Sequence, residues 1–271
     1  MKRILTAAVG TPLAVAALFK LPPVGFFALV AVLFGFAAWE YARIAAHWAP
    51  QAPLWVVVPL VPVVAWGIAP SLDGLRLPYA LPILALLLSV GVGLLVLLRA
   101  TPMEQGAPAM GLLAFGALYL GLPVAALTEL QRQSPWLVLL LWAIVWLGDS
   151  AAYYVGTAFG RRRLAPVVSP KKSWEGALAS FVVAGLCAWL YGLWRGDGVD
   201  ALLIALALLT SVAAQLGDLA ESVIKRGAGV KDSGTLLPGH GGFLDRFDAL
   251  IFAAPIWWLS LEMLGRLPAV R

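Results

Sequence analysis

Gly217–Asp248 reads GDLAESVIKRGAGVKDSGTLLPGHGGFLDRFD, and both of its flanks are long apolar runs. It holds five of the fourteen acidic residues of the 271-residue chain (Asp218, Glu221, Asp232, Asp245 and Asp248). It also holds Lys225, Arg226, Lys231, Arg246 and one of the two histidines, His240. Outside it the chain is poor in charge. Overall, 62% of residues are hydrophobic and 12% charged, against about 25% charged in a soluble domain. Apolar runs long enough to cross a bilayer recur along the length, and continuous runs suit helices rather than the alternating strands of a barrel. The composition therefore predicts an all-α, polytopic integral membrane protein in which the charged stretch lies at a membrane edge.

Working outward, about nine transmembrane helices are expected, near 4–19, 22–39, 53–69, 78–98, 109–127, 135–157, 174–194, 201–219 and 246–265. The basic start, MKRILTAAVGTPLAVAALFK, lacks a small-residue cleavage site and reads as a retained first helix. We take the chain as a single membrane domain, 1–271. Helices of unclear role fill 1–130, and a catalytic half, 135–271, carries charged loops at 158–173 and 220–245. With alternating spans, thirteen Lys and Arg residues fall on the side of the N-terminus and six on the other. The positive-inside rule then places the N-terminus and both charged loops in the cytoplasm. The net charge of +5 is explained by this orientation, so no nucleic-acid partner is expected. A single cysteine, Cys187, excludes an intramolecular disulfide and a multi-cysteine zinc site, and no HExxH pattern is present. Glu40, Arg43 and His47 follow the second span and read as interfacial residues. Trp39, Trp48, Trp55, Trp66 and Trp136 fall near span ends, where amphipathic rings favour the headgroup region.

Chemistry concentrates in the C-terminal half. Asp149 lies about 21 Å along a helix counted from Pro135, inside the hydrocarbon, where an ionised carboxylate is costly unless paired or functional. The loop GRRRLAPVVSPKKSWEG (160–176) carries five cations against Glu175. It can orient the chain, meet anionic lipid, or cradle phosphate through Lys171 and Lys172 at a helix start. Ser173 is placed to cap that helix, with Glu175 in its first turn. Ser211, Gln215, Asp218, Glu221, Ser222 and Lys225 recur at helical spacing and form one polar stripe, which predicts a face turned toward a cavity or partner helices. Asp245 and Asp248 are three apart at the start of the last span. Asp149, Asp218 and Asp245 are therefore expected to meet at one depth. Gly239, Gly241 and Gly242 around His240 make either a tight turn or a backbone cradle for phosphate.

These residues carry a resemblance. Ser222–Asp248, SVIKRGAGVKDSGTLLPGHGGFLDRFD, closely resembles the signature of the phosphatidate cytidylyltransferases (CDP-diacylglycerol synthases). SPKKSWEG (169–176) and GDSAAYYVG (148–156) look like two further conserved blocks of that family. The first hundred residues resemble it only in being hydrophobic. The resemblance implies transfer of the cytidylyl group of CTP to phosphatidate, giving CDP-diacylglycerol and pyrophosphate for phospholipid synthesis. The site would face the cytoplasm in a multi-pass inner (plasma) membrane protein. It also implies Mg²⁺, with a monovalent cation such as K⁺ in a second site, and a homodimer.

On this reading Asp218, Asp245, Asp149, Lys225 and His240 are the catalytic candidates. Metal would be held by Asp218, Asp245, Asp149, Glu221 and Asp248. Substrate phosphates would meet Ser169, Lys171, Lys172, Ser173, Arg226, Lys231, Asp232, Gly239, Gly241, Gly242 and Arg246. Two other readings compete. A CTP-dependent lipid kinase would release CDP instead of pyrophosphate. A secondary transporter with intramembrane carboxylates would move solute without consuming CTP.

Overall fold

The computed structural model describes residues 2–69, 91, 98, 102–236 and 241–267. Most of the expected span 78–98, and the candidates Gly239 and His240, lie outside the described residues. The helices are α1 (Lys2–Lys20), α2 (Pro23–Ala45), α3 (Val57–Ile68, entered through the 3₁₀ turn Leu54–Val56), α4 (Met103–Gln133), α5 (Pro135–Phe159), α6 (Trp174–Arg195), α7 (Ala201–Gly227) and α8 (Leu244–Met263). Each coincides with an expected span. Five of them, α2, α4, α5, α6 and α7, are long and apolar enough to cross a membrane.

Two departures matter. Residues 163–173, expected as loop, contain an antiparallel hairpin of β1 (Arg163–Ala165) and β2 (Ser169–Ser173), so the chain is not purely α. Helix α7 also runs eight residues past the expected end at 219. Alanine, glutamate, lysine and arginine are all good helix formers, and Lys225 and Arg226 sit in the last turn, where cations complement the helix dipole. The charged loop after α7 is correspondingly shorter than 220–245.

The chain divides into two compact units. The first comprises Met1–Arg132 with Ile224–Phe247, the second Gln133–Val223 with Asp248–Arg271. In the first, Phe26, Phe34, Tyr41, Leu120 and Leu130 are buried to 2% exposure or less. Within it Tyr41 Oη donates to the Leu112 carbonyl at 2.9 Å, and Gln131 Nε2 to the Leu21 carbonyl at 3.0 Å. Stacked rings, Phe34 on Phe247 and Phe36 on Phe243, seat α2 against the start of α8.

In the second unit α5 and α6 pack closely because small residues line the seam. A Cβ added at Gly176 would fall 2.6 Å from the Ala152 carbonyl oxygen, so a larger residue would force the helices apart. Outward-facing Leu178, Val182, Leu186 and Leu190 repeat every fourth residue on α6 and are exposed, the pattern of a helix side turned to lipid. Asp200 caps α7 by accepting from the Leu202 and Leu203 amides, and its other oxygen receives Arg266 Nη1 at 2.8 Å. Trp257, fully buried on α8, donates to the Leu137 carbonyl. Trp39, Trp48, Trp55, Trp66 and Trp136 are all exposed, as ring belts at a membrane surface require.

Candidate active site

In the second unit the polar stripe of α7 is built as its spacing predicts. Ser211 Oγ lies 3.2 Å from Ser180 Oγ on α6, and Gln215 Nε2 donates to the Ala177 carbonyl at 3.3 Å. One turn further, Asp218 Oδ2 lies 2.6 Å from Lys172 Nζ, and Ser222 Oγ stands 3.5 Å from Asp218 Oδ1. The hairpin delivers that lysine. β2 runs directly into α6, and Ser173 caps the helix by accepting from the Gly176 amide at 3.2 Å. Glu175 accepts from the Arg162 amide and ties the other strand down.

These elements enclose a cavity of about 350 Å³ whose wall includes Asp149, Tyr153, Lys171, Lys172, Gln215 and Asp218. Asp149 projects from α5, and Ser173 and Gly176 complete the floor. The Lys172–Asp218 pair remains open, its side chains 25% and 31% exposed. Glu221 is buried, Asp248 half-buried, and Asp248 lies within electrostatic reach of Asp218, Glu221 and Asp149. The second unit thus concentrates four carboxylates. Ser169 lies in β2 and is half-buried.

Asp245 belongs to the first unit and has a different setting. Its Oδ1 receives Lys225 Nζ at 2.6 Å. Its Oδ2 receives the Ser233 amide at 3.0 Å, the Ser233 hydroxyl at 2.9 Å and the Gly242 amide at 2.9 Å. Lys225 and Asp245 are only 10% and 12% exposed. Gly241 has φ +77°, a left-handed conformation that a side chain disfavours. Arg226 donates to the Val230 carbonyl and closes the turn after α7. Lys231, Asp232 and Arg246 are exposed.

Glu40 is tied into the interior of the first unit. Expected at an interface, it is 1% exposed and accepts from Ser233 Oγ at 3.0 Å and the Leu244 amide at 2.9 Å. Its partners stand 193 and 204 residues away. The sole signal in the sequence was a carboxylate closing a hydrophobic helix.

The donor set suits a hard cation. Mg²⁺ is bound by one or two carboxylates and completes its shell with waters and substrate phosphates, and the paired walls of Asp149 and Asp218 provide two. Among the described residues no group of three or more His, Cys, Asp or Glu side chains forms a full cage, so substrate oxygens would have to complete the shell. The lysines beside them suit phosphate.

Comparison with known proteins agrees with this chemistry. The chain is 46% identical over 153 residues to the phosphatidate cytidylyltransferase of Brucella suis, an alignment covering 54% of this chain and 55% of that protein. It is 37% identical over 270 residues to the phosphatidate cytidylyltransferase of Pseudomonas aeruginosa, covering 97% of each. The enzyme of that name from Bacillus subtilis is 37% identical over 158 residues, 57% of this chain and 59% of the relative. The matches to the Brucella and Bacillus proteins thus span somewhat over half the length of each. The sequence model described as the Cytidylyltransferase family matches residues 1–264, and with the carboxylate-and-lysine cavity in place, this chain belongs to that family.

Proposed function

We propose that the chain transfers the cytidylyl group of CTP to phosphatidate, forming CDP-diacylglycerol and pyrophosphate. The observation that carries this reading is the Lys172–Asp218 pair, 2.6 Å apart and open to a cavity that Asp149 and Lys171 also line. Carboxylates for a cation and ammonium groups for phosphates stand in one chamber.

A phosphate oxygen of phosphatidate attacks the α-phosphorus of CTP. The bond from that phosphorus to the bridging β-phosphate oxygen breaks, and pyrophosphate departs. A phosphomonoester with a second pKa of about 6 is largely dianionic at neutral pH and needs no general base. The protein therefore contributes positioning and charge neutralisation. Lys171 and Lys172 hold triphosphate oxygens, and Lys172 exchanges Asp218 for substrate as it does so. Asp218 and Asp149 would hold Mg²⁺, with Glu221 and Asp248 behind them, and the ion would supply positive charge at the reacting phosphates. Asp245, whose Oδ1 receives Lys225 in the first unit, is proposed as a further ligand. A monovalent cation such as K⁺ in a second site belongs to the same proposal.

About nine spans, a cytoplasmic N-terminus and an inner-membrane site facing the cytoplasm complete the reading, together with a homodimer. Thirteen of the nineteen cations on one side support that orientation. Single-cysteine labelling in a Cys187→Ala background, from either side of sealed vesicles, tests it. The activity is tested with purified protein given phosphatidate, CTP and Mg²⁺. Equimolar pyrophosphate and CDP-diacylglycerol are expected. Release of CDP would mark a lipid kinase, and solute uptake without CTP consumption would mark a transporter.

A further inference from the structure

The proposed chemistry makes no use of Glu40, yet this carboxylate is 1% exposed and bonded to two segments distant in sequence. A carboxylate taken out of water costs several kcal/mol unless paired or hydrogen-bonded. A residue needed only to fill this space could be apolar at smaller cost. Glu40 Oε2 instead collects two donors from different segments, Ser233 Oγ at 3.0 Å and the Leu244 amide at 2.9 Å. Ser233 Oγ stands 2.9 Å from Asp245 Oδ2 and receives the Asp245 amide at 3.3 Å. The hydroxyl has one proton for two carboxylate neighbours and donates to one of them at a time, so it is the donor that Glu40 and Asp245 share. Leu244 and Asp245 form the first turn of α8, and the Phe34–Phe247 and Phe36–Phe243 stacks hold α2 against that turn.

We infer that Glu40 is a positioning residue. From α2 it fixes Ser233 and the first turn of α8, and thereby holds the Asp245–Lys225 pair in the orientation that turnover requires. This gives the N-terminal helices a part in the reaction, and it rests on the cytidylyltransferase reading above. Glu40 touches no substrate and acts through Ser233.

The test uses the full chain in phosphatidate-containing vesicles, with CTP and Mg²⁺, reading pyrophosphate release per folded molecule. Glu40→Ala is expected to lower kcat at least tenfold, with the KM for CTP changed less than twofold. Glu40→Gln should recover kcat to within threefold of wild type. Its amide oxygen can face both donors, while its NH₂ takes the place of Oε1, which accepts no hydrogen bond among the described residues. Gly234→Ala provides an independent route. Its backbone does not need glycine, and the added methyl would land on the Glu40 carboxylate, so it should lower kcat as Glu40→Ala does. The double variant should then be no worse than either single one, as expected for one shared pathway.

If Glu40→Ala does not fold, Gly234→Ala carries the same comparison. Unchanged kcat in a folded Glu40→Ala, a Gln variant no better than the Ala variant, or additive losses would each overturn the inference. A wild-type chain that releases no pyrophosphate would overturn the underlying reading and this inference with it. An active wild type with an indifferent Glu40→Ala would overturn this inference alone.

Discussion

Two lysine–aspartate pairs in this protein have the same 2.6 Å separation and opposite circumstances. Lys225–Asp245 is almost closed to solvent, and both aspartate oxygens are engaged by neighbouring donors. Lys172–Asp218 opens into a chamber and holds its partner with little else. The closed pair shapes a loop and a helix start. The open pair can exchange one partner for another at small cost, which is what a site receiving anions and a cation must do. Distance alone does not separate these roles; the surroundings do.

The sharpest way to break this contrast is Asp218→Asn. Turnover should fall about a thousandfold, in line with removal of a preorganised charged group from a phosphate-transfer site, while thermal unfolding in detergent stays near that of wild type. Retained activity would remove Asp218 from the site. Lys225→Met should lower turnover too, but it should differ from Asp218→Asn in its loss of stability. Stripping the cation from a mostly buried carboxylate is expected to cost about 3 kcal/mol, read as a lower unfolding temperature. Stability within error of wild type would mean that the closed pair holds nothing.

Gly176→Val tests the frame around the open pair. The side chain would collide with the α5 backbone at Ala152, for an expected loss of about 2 kcal/mol; an unaffected unfolding temperature would show that the helices can slide apart freely. Ser173→Ala should cost about 1 kcal/mol through the lost cap. Smallest of all, Lys172→Ala should change stability by less than about 1 kcal/mol, since the pair is partly exposed, yet raise the KM for CTP. A large stability loss there would erase the distinction between the two pairs.

The sequence exposed the helices well because lipid imposes one rule, a long apolar run, on each of them. The stripe on α7 was equally legible, since 3.6-residue spacing alone aligns Ser211 with Lys225. The end of the apolar run at 219 sets too short a bound for helix α7, whose polar stripe carries helical spacing on to Lys225. The hairpin leaves no sequence signal because its strands are three and five residues long, too short to show alternation. Glu40 is silent for a different reason. Its meaning lies in Ser233 and Leu244, and no local pattern links positions so distant along the chain. The setting of each carboxylate is not legible in the sequence: Asp149 and Asp218 line one chamber of the second unit, and Asp245 is held by Lys225, Ser233 and Gly242 within the first.

Helices α7 and α8 are pinned within the second unit at two heights. Arg266 meets Asp200 at one level, and at another the bare backbone of Gly217 lies against the Asp248 carbonyl. Such a joint behaves as a caliper locked at a set gauge: the span between Asp218 and Asp248 is dictated by main chain pressed on main chain. Warming should therefore leave the specific activity of surviving molecules steady until the joint gives way, and then abolish it in a single step.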